Sequence, residues 1–295
     1  MTDAERAKII KKVSRQRKLI SLIFKVTMKA FNKNAQELIL WTEAGPVRVL
    51  CYGFEDKTTK PVFFDLHGGG FILMSADADA RMNHMILQAV DCKIVSIDYA
   101  LAPEHPFPTA VNQIYAVVKE MHSNAGKYGI DPERMAIGGH SAGGNLATVT
   151  CIQAARKGGF KFVCQMLNYP PLDLATSPYD KPCPKGAIKP KAAATYDACY
   201  RDPSQAEDPL VSPVYASREE LGAMPPALII LAGGDSLRNE GEKYAGLLKD
   251  AGVDVELSEF VKEKHGFTYF RSKETPTAMK LISDFLTKHF FSGSI

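Results

Sequence analysis

From residue 37 onward the chain alternates short β-branched or aromatic runs with longer amphipathic stretches of helical period. That is the pattern of a mostly parallel sheet covered by helices on both faces. The runs predict eight strands, at 37–41, 47–52, 62–66, 93–99, 134–138, 160–167, 227–232 and 253–261. The gap from Thr42 to Pro46 is short and rich in turn formers, so it predicts a hairpin and one antiparallel pair at the start of the sheet. Later gaps are long enough for crossover helices, predicted at about 77–90, 109–128, 142–157, 239–251 and 275–290. A proline cluster ahead of the second of these fixes its start.

Two segments depart from the alternation. Residues 1–33 carry Ile20, Phe24, Met28 and Phe31 at spacings of four, four and three, an apolar stripe on a basic helix. The simple reading is a helix packed on the domain with its Lys and Arg in water; the alternative is attachment to an anionic membrane surface. The second segment, 175–207, is rich in proline and holds Tyr179, Tyr196, Tyr200 and two cysteines between two predicted strands. It reads as a compact cap over the sheet edge rather than a linker. The expected organisation is therefore an N-terminal cap at 1–33, a core of 34–174 and 208–295, and a cap insertion at 175–207.

Composition narrows the class. With 295 residues, 45% hydrophobic and 23% charged, the chain is globular and long enough for a large α/β core in one domain. Its net charge of +3 is local: residues 1–33 carry +8 and the remainder −5, which argues against a nucleic-acid partner. No apolar run reaches the roughly 18 to 20 residues of a membrane span. The short run 19–24 ends at Lys25 without a small-residue cleavage site, so export is not expected. Six scattered cysteines without a C-x-x-C pair fit free thiols in a reducing cytoplasm.

The chemistry centres on Gly139-His140-Ser141-Ala142-Gly143, a G-x-S-x-G sequence between a predicted strand and a predicted helix. At such a corner the glycines relieve crowding as the backbone turns, and the serine hydroxyl is presented above the sheet as a nucleophile. Attack on a carbonyl creates an oxyanion, which needs preorganised N–H donors. His67-Gly68-Gly69-Gly70 follows the third predicted strand, and Ala142 opens the helix after the serine; Gly68, Gly69 and Ala142 are the expected donors. The base and its acid should lie downstream of Ser141. His289 falls in the last predicted helix, whereas His265 sits in a loop after the last strand and is the candidate base. Asp235 follows the strand 227–232 through Gly233-Gly234 and is the acid expected to orient the imidazole, ahead of Glu240, inside a helix, and Asp254, at the start of a strand. His67, His84, His105 and His122 show no metal-ligand spacing, and no dinucleotide or phosphate-cradling glycine motif is present, so neither metal nor cofactor is expected.

Taken with Asp98-Tyr99-Ala100-Leu101-Ala102-Pro103-Glu104-His105-Pro106-Phe107-Pro108, Ser141-Ala142-Gly143-Gly144-Asn145 and His265-Gly266-Phe267, these motifs resemble the hormone-sensitive-lipase-like branch of the α/β-hydrolase carboxylesterases over about residues 60–270. The resemblance implies the α/β-hydrolase fold: a mostly parallel eight-stranded sheet with its second strand antiparallel, helices on both faces and a small helical cap. It also implies carboxylesterase activity on small acyl esters, which with the residues above gives a serine esterase working through Ser141, His265 and Asp235 and an acyl-enzyme, with a preference for roughly two to eight acyl carbons set by the side chains of its pocket. Phe71, Ile72, Met74, Tyr179, Tyr196 and Tyr200 are expected to narrow the acyl site. One departure stands beside the nucleophile, where His140 replaces the family's usual Asp and removes a carboxylate. Glu104 falls in the segment that supports the oxyanion loop in this family. The expected partner is a small-molecule ester, with no nucleic acid and no membrane association, and a homodimer through an edge strand suits the family. The competing readings are a non-catalytic small-molecule binding protein on the same fold and a membrane-surface lipase.

Overall fold

The computed structural model describes residues 3–292, with side chains from residue 8 onward. One sheet runs through it, built from β1 (Gln36–Thr42), β2 (Gly45–Tyr52), β3 (Lys60–Leu66), β4 (Lys93–Asp98), β5 (Ile130–His140), β6 (Cys164–Asn168), β7 (Ala227–Ala232) and β8 (Val255–Phe260). The spatial order is β1-β2-β4-β3-β5-β6-β7-β8, with β2 antiparallel to both neighbours and every other pairing parallel. The helices are α1 (Asp3–Thr27), α2 (Ala80–Ala89), α3 (Thr109–Ser123), α4 (Ala125–Tyr128), α5 (Ala142–Lys157), α6 (Pro190–Tyr200), α7 (Arg218–Gly222), α8 (Arg238–Asp250) and α9 (Thr275–Phe291).

Strand alternation divides the core into two layers. Along β3, Val62, Phe64 and Leu66 face the layer filled by α3, α5 and α8, while Phe63 faces the layer filled by α2 and α9. Both layers are buried and mainly apolar, so the sheet is covered on each face and its central strands read as apolar runs. The exception is Asp65, which shares the Phe63 face and is fully buried; it accepts from Ser96 Oγ at 2.6 Å and Asn83 Nδ2 at 2.8 Å.

Several boundaries differ from those expected. The run 160–167 is strand only from Cys164, because Phe160 and Phe162 pack with Tyr115 and Phe64 in an aromatic cluster off the sheet. The helix expected at 77–90 begins as a tight 3-10 turn, Ala76–Asp79, and only then becomes α2. The one expected at 109–128 breaks at Asn124, whose N–H and side-chain amide both donate to the Glu120 carbonyl. α1 stops at Thr27, so Met28 and Phe31 lie beyond it; Phe31 packs edge-on against His84. The apolar stripe is half-buried, but the exposed side of α1 carries Leu19, Leu22, Ile23 and Val26 beside its lysines rather than charges alone. No described helix is long and apolar enough to cross a membrane.

Parallel strands place all their carboxyl ends on one edge, and the loops after β3, β5, β7 and β8 meet there. The loop after β3 is tied down from behind by Arg48 on β2, which donates to Asp77 at 3.0 Å, Asp98 at 3.1 Å and Glu37 at 2.8 Å. Asp98 in turn accepts from the Ala76 N–H at 3.1 Å. Replacing Arg48 with Met should leave two shielded carboxylates without their shared donor and destabilise the fold by about 2 kcal/mol in urea unfolding; an unchanged midpoint would show the cluster to be dispensable.

Candidate active site

Ser141 stands at the corner between β5 and α5 with φ 55° and ψ −121°, a conformation that costs a non-glycine residue about 1–3 kcal/mol. Its surroundings hold it there: the Ser141 N–H donates to the Asn168 carbonyl at 2.8 Å, and the Ser141 carbonyl accepts from Gly144 and Asn145. The turn presses on β3 so closely that a Cβ on Gly143 or Gly139 would lie 1.9 or 2.4 Å from the Leu66 carbonyl oxygen. Both positions therefore exclude any side chain.

His265 Nε2 lies 2.8 Å from Ser141 Oγ, and its Nδ1 lies 2.6 Å from Asp235 Oδ2. A carboxylate can only accept, so Nδ1 carries the proton and Nε2 is left to accept from the serine hydroxyl. Asp235 is 3% exposed and its other oxygen accepts from the Leu237 N–H at 3.2 Å. The turn ahead of it is pinned to the strand beside it, with Gly233 and Gly234 donating to the Phe260 and Glu263 carbonyls. Tyr169 meets the imidazole edge to face at 4.9 Å. The three residues expected to act together thus converge at the sheet edge.

The other candidates do not. Glu240 is buried in α8, where it accepts from Lys181 at 2.6 Å and from the Leu172 N–H; burial pushes its carboxyl up to about 7 against the pull of Lys181. Asp254 is exposed near Lys288, and His289 packs on Phe285.

The glycine loop after β3 requires one correction. The Gly68 N–H donates to Tyr269 Oη at 2.9 Å, so it is spent inside the protein and leaves the expected donor set. Among the described residues the N–H groups of Gly69, Gly70 and Ala142 have no protein acceptor. Gly69 (φ 113°) turns so tightly that a Cβ would fall 2.3 Å from the Leu73 carbonyl oxygen. His67 stacks on Tyr99 at 4.2 Å and donates through Nδ1 to the Gly68 carbonyl, while Tyr99 Oη donates to the His67 carbonyl. Glu104 accepts from Arg17 at 3.1 Å, and Arg17 also donates to the carbonyls of Ile72 and Ala102. Glu104 therefore braces the loop through α1, which accords with the supporting role the resemblance implies.

Behind the loop, Asp65, Asp79 and His140 bring one donor atom each within 4.8 Å of one another. Burial drives the Asp79 carboxyl well above its ordinary range, and that of Asp65 upward too. His140 Nδ1 accepts from Asn168 Nδ2 at 2.7 Å, and burial pulls its imidazole down to about 3. The residue beside Ser141 is thus a neutral ring. Sequence reasoning missed Asn168, Tyr269, Asp65 and Asp79, none of which belongs to the elbow or to the glycine motif itself.

A cavity of about 330 Å³ opens beside Ser141 and His265, lined by Phe71, Met74, Leu174, Ile188 and Tyr196 among others. Of the residues expected to narrow it, Tyr179 is exposed, and Tyr200 is buried behind Phe71 with the rings stacked at 3.8 Å.

A family model for the α/β-hydrolase fold matches residues 63–269, which include the elbow, the glycine loop and all three converging side chains. The chain belongs to the hormone-sensitive-lipase-like branch of the α/β-hydrolases. It is 32% identical to esterase LipI of Mycobacterium tuberculosis over 234 residues, 76% of this hydrolase and 72% of the relative. It is 33% identical to an arylesterase of Saccharolobus solfataricus, covering 70% and 68% of the two chains. The solved hyperthermophilic esterase of Pyrobaculum calidifontis superposes on it with a TM-score of 0.86 at 31% identity, covering 98% of each chain.

A neutral buried His140 makes a pH-dependent contribution to the stability of the hydrolase. Its folded value lies below the unfolded value near 6.5, so below that pH the unfolded chain binds a proton that the folded chain refuses, and stability falls with pH by about 1.4 kcal/mol per unit until about pH 3. The variant His140→Asn keeps an acceptor toward Asn168 and lacks this term. Denaturant titrations at pH 7.5 and pH 5 should show the wild type losing about 2 kcal/mol relative to the variant; an equal loss in both would mean that His140 is protonated in the fold.

Proposed function

We propose that this hydrolase cleaves short-acyl carboxylic esters through a Ser141–His265–Asp235 triad and an acyl-enzyme intermediate. The observation that carries the reading is the unbroken relay from Asp235 Oδ2 through the imidazole to Ser141 Oγ, at 2.6 and 2.8 Å. His265 Nε2 takes the serine proton as Oγ attacks the ester carbonyl, and the buried Asp235 stabilises the imidazolium and holds its tautomer. The carbonyl oxygen becomes an oxyanion facing the unspent N–H groups of Gly69, Gly70 and Ala142, the last at the N-terminus of α5. When the tetrahedral species collapses, His265 protonates the departing alcohol. The same nitrogen then activates water to free the acid from Ser141.

Two features support small acyl groups. The cavity is at the low end of ligand-sized volumes, and Tyr196 of α6 lies directly over Gly70, where an added Cβ would meet its ring at 2.7 Å. The cap segment therefore presses on the loop that supplies the oxyanion donors. His140 does not weaken the reading, because a neutral ring adds no charge beside the serine and the relay does not pass through it.

Ser141→Ala should lower turnover of a p-nitrophenyl ester by at least about 10³-fold while the variant remains folded; retained turnover would remove Ser141 from the chemistry. Across an acyl series kcat/KM should peak between roughly two and eight carbons. Equal or better activity on twelve to eighteen carbons would show that the cavity does not set the limit.

A further inference from the structure

The walls of the catalytic cavity are largely hydrocarbon, but the cap turns two charged side chains into them, Lys181 and Asp197. They differ in what they have left to offer. The Lys181 ammonium is spent on the Glu240 carboxylate and on the Asp173 carbonyl, each at 2.6 Å. Asp197 sits on the same face of α6 as Ala193 and Tyr196, one turn and one residue away, and all three line the cavity. Among the described residues no group donates a hydrogen bond to its carboxylate, although the side chain is half-buried. Its charged neighbours are Lys181 and Arg201, and the Arg201 guanidinium donates to the carbonyls of Leu174 and Asp202 instead. Burial pushes the Asp197 carboxyl up to about 6 against the pull of those two cations, which leaves it ionised at neutral pH.

A carboxylate set among apolar groups and given no hydrogen bond by the protein favours a ligand that brings it a donor. The small Ala193, one turn earlier on the same wall, leaves room beside it. We propose that Asp197 is a substrate-binding residue, and that the hydrolase prefers esters bearing a hydrogen-bond donor, an ammonium or a hydroxyl, remote from the scissile bond. The inference rests on Ser141 being the nucleophile of this cavity. A donor that reaches Asp197 is held by a charge-assisted hydrogen bond, whereas an ester of the same shape without one leaves the carboxylate desolvated and unpaired.

Matched esters test this from both ends of the molecule. On the alcohol side, 3-(dimethylamino)propyl acetate is compared with 4-methylpentyl acetate, and 4-hydroxybutyl acetate with pentyl acetate. On the acyl side, ethyl 4-(dimethylamino)butanoate is compared with ethyl 5-methylhexanoate. The expected result is a preference of about tenfold in kcat/KM for the donor-bearing ester of at least one pair, expressed in KM. In Asp197→Leu that ratio should fall to about one. In Asp197→Asn, which keeps an acceptor oxygen but no charge, a hydroxyl preference should survive and an ammonium preference should drop, which tells the two donors apart. Turnover of the hydrocarbon esters with no preference in the wild type, or a preference that persists in Asp197→Leu, would overturn the role of Asp197. Loss of all turnover together with failure of a fluorophosphonate to label Ser141 in the wild type would instead overturn the catalytic reading beneath it.

Discussion

The site depends on one imidazole that must make two hydrogen bonds of opposite sense at once, donating to a buried carboxylate and accepting from a serine hydroxyl. Neither partner is near it in sequence: Asp235 lies 30 residues before His265 and Ser141 lies 124 before it. The parallel part of the sheet, with the ends of β5, β7 and β8 on a common edge, brings the three together, and β3 adds the glycine loop beside them. The tight contacts at Gly139 and Gly143 come from packing the turn after β5 against the Leu66 backbone at the end of β3, and that at Gly69 from the turn of its own loop onto Leu73.

Beneath that edge the protein buries an unusual amount of polar chemistry. Asp65, Asp79, His140, Asn168 and Thr268 are all shielded from water close to Ser141 and His265. Burial disfavours the charged forms of Asp65, Asp79 and His140, so the floor of the site is polar chemistry held away from water. Such a floor orients rather than attracts. The Asn168 side chain joins His140 to Thr268, the Asn168 backbone carbonyl holds the Ser141 N–H, and Tyr269 holds the Gly68 N–H from the segment that follows His265. The strained serine is thus restrained from β6 and the glycine loop from the His265 segment, which converts burial into fixed geometry.

Much of this was legible in the sequence, for identifiable reasons. The elbow and the glycine loop are local: their residues are contiguous, and their meaning follows from sitting between a strand and a helix. Asp235 and His265 could be preferred because each follows a strand in a loop, whereas Glu240 and His289 fall in predicted helices and Asp254 opens a strand. Which glycine N–H is free was not legible, because Gly68 is occupied by Tyr269, 201 residues away. The strand ending at Asn168 was expected to be longer because Phe160 and Phe162 look like strand residues, yet their rings are used in a cluster off the sheet. Asp197 gave no signal at all, since a lone acid in a short helix ordinarily faces water and only the tertiary structure turns it inward.

The central claim is that the hydroxyl of Ser141 becomes covalently acylated during turnover. Rapid acid quenching with a p-nitrophenyl acetate excess, followed by intact-mass and peptide mass analysis, tests it directly. The account predicts one acetyl group per chain, located on Ser141, formed as fast as the first equivalent of nitrophenol is released. Steady turnover with no acyl group on Ser141, or with the acyl group on a cysteine, would contradict it.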